Sequence, residues 1–160
     1  MNSRGSVAGG DSRGEDVPEF LKRKAISGPF PGMDEATIWS ELGPEGFRRV
    51  VAAFYRRIPG DDLLGPMYPA EDLQGSEDRL YHFLCFRIGG VPRYLEERGH
   101  PRLRMRHLPF RIGEAERDRW LEIMAAAMEE AEVSPEVASA LGAFFSQVAD
   151  FLRNQEPFSP

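Results

Sequence analysis

Apolar residues three and four positions apart recur in four long stretches of this chain, and no stretch alternates at the two-residue period of a half-buried strand. In the first, Phe47, Val50, Val51, Phe54, Tyr55 and Ile58 share one helical face, Pro44 sits at the first helical position, and Pro59-Gly60 forms a stop. A second runs from about Leu73 to Ile88, with Leu73, Ser76, Leu80, Phe83, Leu84 and Ile88 on a broad face and Gly89-Gly90 ending it. The third, from about Glu114 to Ala131, gathers Trp120, Leu121, Met124, Ala127 and Met128. Ser134-Pro135-Glu136 then supplies a cap, a first-turn proline and a first-turn acid for a fourth, whose face carries Val137, Leu141, Phe144, Phe145, Val148 and Leu152. The fold class is all-α. Helical periodicity does not choose between a simple bundle and a sandwich of more steeply crossed helices, because both bury the same kind of stripe.

The 160 residues suffice for one domain, and a 41 % hydrophobic content supports a real core. Residues 1–35 read as a disordered N-terminal extension: they hold Gly5, Gly9, Gly10, Gly14, Gly28 and Gly32, three prolines and no sustained periodicity. Within them Phe20 to Ile26 reads as a fluctuating segment or a short docking element. Residues 36–154 form the expected domain, and 155–160 a C-terminal tail. Cys85 is the single cysteine, so no intramolecular disulfide or paired-thiol metal site is available. There is no apolar run of the ~18 to 20 residues that spans a bilayer and no apolar core of a signal peptide in Met1 to Gly14, which points to a cytoplasmic protein away from membranes. A net charge of −6 opposes general affinity for nucleic acid.

The connection from Gly90 to Glu114, punctuated by Pro92, Pro101 and Pro109, is too long for a minimal helix–helix loop. Between His100 and Arg111 it packs four arginines and two histidines with no acid. Such a run reads as a solvated basic turn, a nucleic-acid contact, or a site for a small carboxylate or phosphate. His82, His100 and His107 lack the spacing of a protein-only zinc site. One histidine suffices for iron only where a porphyrin supplies the other ligands; on chemistry alone His107 reads first as a capping or surface residue. Tyr55, Tyr68 and Trp120 either fill the core or aim hydroxyl and indole donors into a common cavity.

Phe54-Tyr55, Tyr68-Pro69, Gly89-Gly90, the block Glu97-Arg98-Gly99-His100-Pro101-Arg102-Leu103-Arg104-Met105-Arg106-His107, Pro109-Phe110-Arg111, and Glu116-Arg117-Asp118 with Trp120 together resemble the group II truncated haemoglobins. The resemblance spans roughly Ile38 to Asn154. It implies a two-on-two helical sandwich around haem b, with His107 as the proximal iron ligand. By the same resemblance, Tyr55, Tyr68 and Trp120 are the distal ligand-binding donors, with Ser76 and Leu80 beside them. Arg79, Arg106 and Tyr94 are candidates to face the haem propionates, and Phe83, Met105 and Phe110 complete the expected haem contacts. The N–H of the histidine that does not face iron should bond a carbonyl about one turn earlier, near Leu103. Ser76 stands where many globins have a distal histidine, so no strong endogenous sixth ligand is expected. The chain departs from the family at Gly43-Pro44, commonly a glycine pair, and at Arg87-Ile88, often aromatic.

The resemblance thus implies a haem protein that reversibly binds dioxygen, carbon monoxide, nitric oxide and similar small ligands, as in oxygen transport. Its alternative is a haem enzyme, a nitric oxide dioxygenase or peroxidase. No flavin or nicotinamide motif is present, so turnover would depend on an unknown external reductase. A homodimer is compatible with the sequence. A third reading, a non-haem helical module docking through the basic segment, predicts no haem uptake.

Overall fold

The structure is a computed structural model that describes residues 30–155. The Phe20 to Ile26 segment and most of the two expected terminal extensions lie outside the described residues. All regular elements among those described are helical. They are α1 (Glu35–Arg57), α2 (Leu73–Gly89), α3 (Arg93–Arg98), α4 (Leu103–His107), α5 (Glu114–Glu130) and α6 (Pro135–Phe151), with two single 3-10 turns, Gly65–Met67 and Ala70–Asp72, between α1 and α2. α1 packs on α2 and on α5, and α5 packs on α6. The result is two helix pairs, α1/α2 and α5/α6, joined through α1 and α5: the two-on-two sandwich.

Helix boundaries follow local chemistry. Asp34, Asp72 and Ser134 cap α1, α2 and α6 by accepting the N–H of Thr37, Gly75 and Val137 at 2.7, 3.2 and 3.4 Å. Gly113 starts α5, where the Glu116 carboxylate accepts the Gly113 N–H at 2.9 Å. Gly90 ends α2 in the left-handed region at φ 69°, ψ 15°. α1 begins earlier than Pro44: it is two helical runs joined at Gly43, whose φ of 63° and ψ of 177° are non-helical. Pro44 therefore does open a helical run, and the kink precedes it. Six residues assigned to the extension are ordered here, since Phe30 is buried with its ring 5.0 Å from that of Phe144, and α1 starts at Glu35.

The core is continuous across both pairs. Phe47, Val50, Val51, Phe54 and Ile58 of the first stripe are fully buried, against Leu84 of α2, Met124 and Ala127 of α5, and Leu141 and Phe144 of α6. Each such large side chain contributes roughly 1.5 to 3 kcal/mol on burial. Tyr55 alone of that stripe is only half buried by protein, and this is where the core opens.

Candidate functional site

A cavity of about 500 Å³ lies between the two helix pairs, walled mainly by apolar side chains. Its lining includes Phe83 and Leu84 from α2, Leu103 from α4, Phe144 and Val148 from α6, and Leu152, which caps α6. Tyr55, Tyr68, Ser76, Arg79, Leu80, Tyr94, Arg106, His107, Phe110 and Trp120 line it too, so eleven of the twelve residues named from sequence converge once Phe83 is counted. Met105 does not. It is 54 % exposed and absent from the lining, because on a helix as short as α4 it points away from the face that carries Leu103 and His107.

Of the three histidines, only His107 reaches the cavity. Its Nδ1 lies 2.6 Å from the carbonyl oxygen of Leu103, one turn earlier, as the sequence suggested. A carbonyl only accepts, so Nδ1 carries the proton and Nε2 keeps its lone pair. Burial lowers the imidazole's proton affinity; the Leu103 carbonyl opposes this and the neighbouring Arg106 charge adds to it. The ring is therefore held neutral with one nitrogen free to ligate. Among the described residues no three His, Cys, Asp or Glu side chains are grouped to hold a metal ion. A metal that His107 binds must bring its other ligands.

The two tyrosines and the tryptophan form one cluster. The Tyr55 and Tyr68 rings meet edge to face at 5.6 Å, Phe54 lies 5.2 Å from both Tyr55 and Trp120, and Trp120 packs on Phe145 at 5.5 Å. Burial raises the Tyr55 phenol well above its ordinary range and pushes Tyr68 up to about 12, the Trp120 side chain partly offsetting the latter. Both phenols are thus neutral donors at physiological pH. The corner that carries Tyr68 is pinned by Asp61, which accepts from the N–H groups of Leu63 and Leu64 and pairs with Arg119 of α5 at 2.8 Å. Because Arg119 precedes Trp120, this bridge sets the corner against the helix that carries the indole.

Arginines frame the rim. Arg79 donates to Ser76 Oγ at 3.0 Å and pairs with Asp72 at 3.2 Å, which explains why Ser76 is buried without being apolar. Arg106 donates to the Pro101 and Arg98 carbonyls at 2.8 and 2.9 Å and so fastens α4 to α3. Tyr94 is buried, stacked 6.2 Å from Phe86 and edge-on to Phe83 at 5.7 Å. Several contributors were not foreseen. Arg98 lines the rim, the α6 aromatics read as ordinary core wall the cavity, and Asn154 clamps the segment that bears the histidine. The Asn154 amide donates to the Phe110 and His107 carbonyls at 2.6 and 3.3 Å and accepts the Ile112 N–H at 2.9 Å. The one available signal was the width of the α6 apolar face.

The sequence matches the bacterial-like globin family over residues 37–154. This chain belongs to that family, within the group II truncated haemoglobins. It is 36 % identical over 117 residues to the group 2 truncated hemoglobin YjbI of Bacillus subtilis, covering 73 % of this chain and 88 % of that one. Among solved structures, the hemoglobin of Chloroflexus aurantiacus superposes with a TM-score of 0.70 at 43 % identity, covering 74 % and 98 % of the two chains. That of Thermobifida fusca gives 0.69 at 42 %, covering 73 % and 96 %. Membership implies haem-based binding of small ligands. The cavity fits such a group: its walls are mainly apolar, as a macrocycle would require, it offers one free imidazole nitrogen, and it has arginines at its rim that would meet carboxylates. Among the described residues no helix is long and apolar enough to cross a membrane.

Proposed function

We propose that this truncated haemoglobin holds haem b through His107 and reversibly binds dioxygen, carbon monoxide and nitric oxide in the pocket formed by Tyr55, Tyr68 and Trp120. The observation that carries this reading is that His107, its Nδ1 committed to Leu103, lines the same apolar cavity as three neutral side-chain donors. Haem would supply the iron at which a diatomic ligand coordinates. His107 would provide the axial nitrogen, and the Leu103 carbonyl fixes both its tautomer and its ring plane. Arg79, Arg106 and Tyr94, which line the cavity, would meet the propionates, with Arg98 beside them at the rim.

On the ligand side the chain contributes hydrogen bonds. Donors fixed in a low-dielectric cavity hold a partly negative ligand more strongly than water does, since they need no reorganisation. A relative 35 % identical, from Bacillus subtilis, is described as an oxygen-avid truncated haemoglobin, which agrees with three donors acting together. Tyr68→Phe and Trp120→Phe each remove one donor worth about 1 to 3 kcal/mol. Stopped-flow oxygen release should accelerate roughly 5- to 150-fold in either. Release at the wild-type rate in both variants would refute the donor cage.

A further inference from the structure

The basic segment has a second face that the cavity does not use. Arg102, Arg104 and Arg111 are exposed, line no part of the cavity, and pair with no carboxylate among the described residues. Elsewhere among those residues the arginines, Arg49 and Arg98 apart, are neutralised, as Arg48 is by Asp78, Arg93 by Glu97 and Arg119 by Asp61. Arg104 instead lies 5.7 Å above the Phe151 ring. The same segment holds the two most exposed large apolar side chains among the described residues, Met105 at 54 % and Leu108 at 59 %, neither of which lines the cavity. Arg102, Met105 and Leu108 are three residues apart across α4 and its caps, so they share one side of it. An otherwise acidic chain thus concentrates unpaired cations around a small apolar centre, on the five-residue helix that ends in His107.

We propose that this face docks an acidic electron-donor protein, which would deliver one electron to the haem over His107. The proposal rests on the reading that His107 binds haem iron. Charge complementarity selects the partner, because unpaired arginines steer and hold a negative surface. The small apolar centre suits a transient contact of the size typical of electron-transfer encounters, below about 1,200 Å². A donor of this kind carrying a reduced flavin would lose one electron, the ferric iron held at His107 would gain it, and no bond would form or break.

The test uses haem-loaded protein and flavodoxin, a small acidic one-electron donor, as the probe. Calorimetric affinity for oxidised flavodoxin is measured first, and then the rate at which reduced flavodoxin converts the ferric protein. Arg102→Glu should weaken binding and slow reduction at least about tenfold, whereas Arg49→Glu, the same charge change on an unpaired arginine of α1, should leave both within about twofold. Leu108→Ser should weaken binding with unchanged salt dependence. Raising salt from about 0.02 M to about 0.3 M should weaken wild-type binding and have little further effect on Arg102→Glu. Equal behaviour of Arg102→Glu and Arg49→Glu would overturn the proposal. So would undetectable flavodoxin binding together with cosedimentation on phosphatidylglycerol vesicles that Arg102→Glu abolishes, since the face would then be a lipid surface. A normal haem spectrum in these variants keeps this outcome separate: loss of the spectrum in wild type would instead remove the haem reading itself.

Discussion

At the scale of single residues, function here depends on atoms already committed elsewhere. In the proposed reading His107 would serve iron because the Leu103 carbonyl occupies its Nδ1, and Ser76 keeps its hydroxyl turned to Arg79. The Leu103 carbonyl was foreseeable, since a ring nitrogen one turn from a carbonyl has few other partners. Met105 was not separable from its neighbours by pattern, because a helix of five residues shows too little of its period to tell inward from outward. Protonation is a residue-scale matter as well. With both phenols raised by burial, and Tyr68 to about 12, deprotonation removes a donor only in strongly alkaline solution. Oxygen release should therefore be independent of pH between about 6 and 9, and stopped-flow rates across that range check it. A sigmoid acceleration centred below about 9 would mean that a donor ionises earlier than its burial allows.

Elements of three turns or more were legible and shorter ones were not. The stripes of α1, α2, α5 and α6 repeat often enough to declare themselves, and Ser134-Pro135 marked the start of α6. α3 and α4 span six and five residues, and their stability comes from tertiary contacts rather than propensity. Arg106 and Asn154 supply those contacts. Asn154→Ala removes three hydrogen bonds at once from the segment around His107. It should cost about 1 to 3 kcal/mol and hasten haem loss to apomyoglobin, measured by absorbance. Unchanged haem loss would mean that α4 holds its place without the clamp. The kink in α1 has a backbone cause. Gly43 adopts φ 63°, ψ 177°, and a Cβ there would meet nothing within 4 Å. Gly43→Ala should thus destabilise the fold by about 1 to 3 kcal/mol in urea titration through backbone strain alone, with the haem spectrum intact. A neutral result would show that the two halves of α1 can realign.

On the scale of the whole molecule, a wide apolar face was ambiguous between core and cavity. Phe144, Phe145, Val148 and Leu152 satisfy helical periodicity whether they meet protein or a ligand, so sequence pattern assigned them to the core. What distinguished the two was the dense motif around His107, which periodicity does not explain. Along the same block Leu103 and His107 face the cavity while Arg102, Met105 and Leu108 face out. The central claim is that His107 is the axial nitrogen of a bound haem. An optical spectrum of purified wild type and His107→Ala, ferric, reduced, and reduced with carbon monoxide, tests it most directly. Wild type should show a Soret band that shifts on reduction and again on ligation, while His107→Ala loses haem or the histidine-ligated signature. A wild type that takes up no haem, or a His107→Ala protein with the wild-type spectra, would contradict the account.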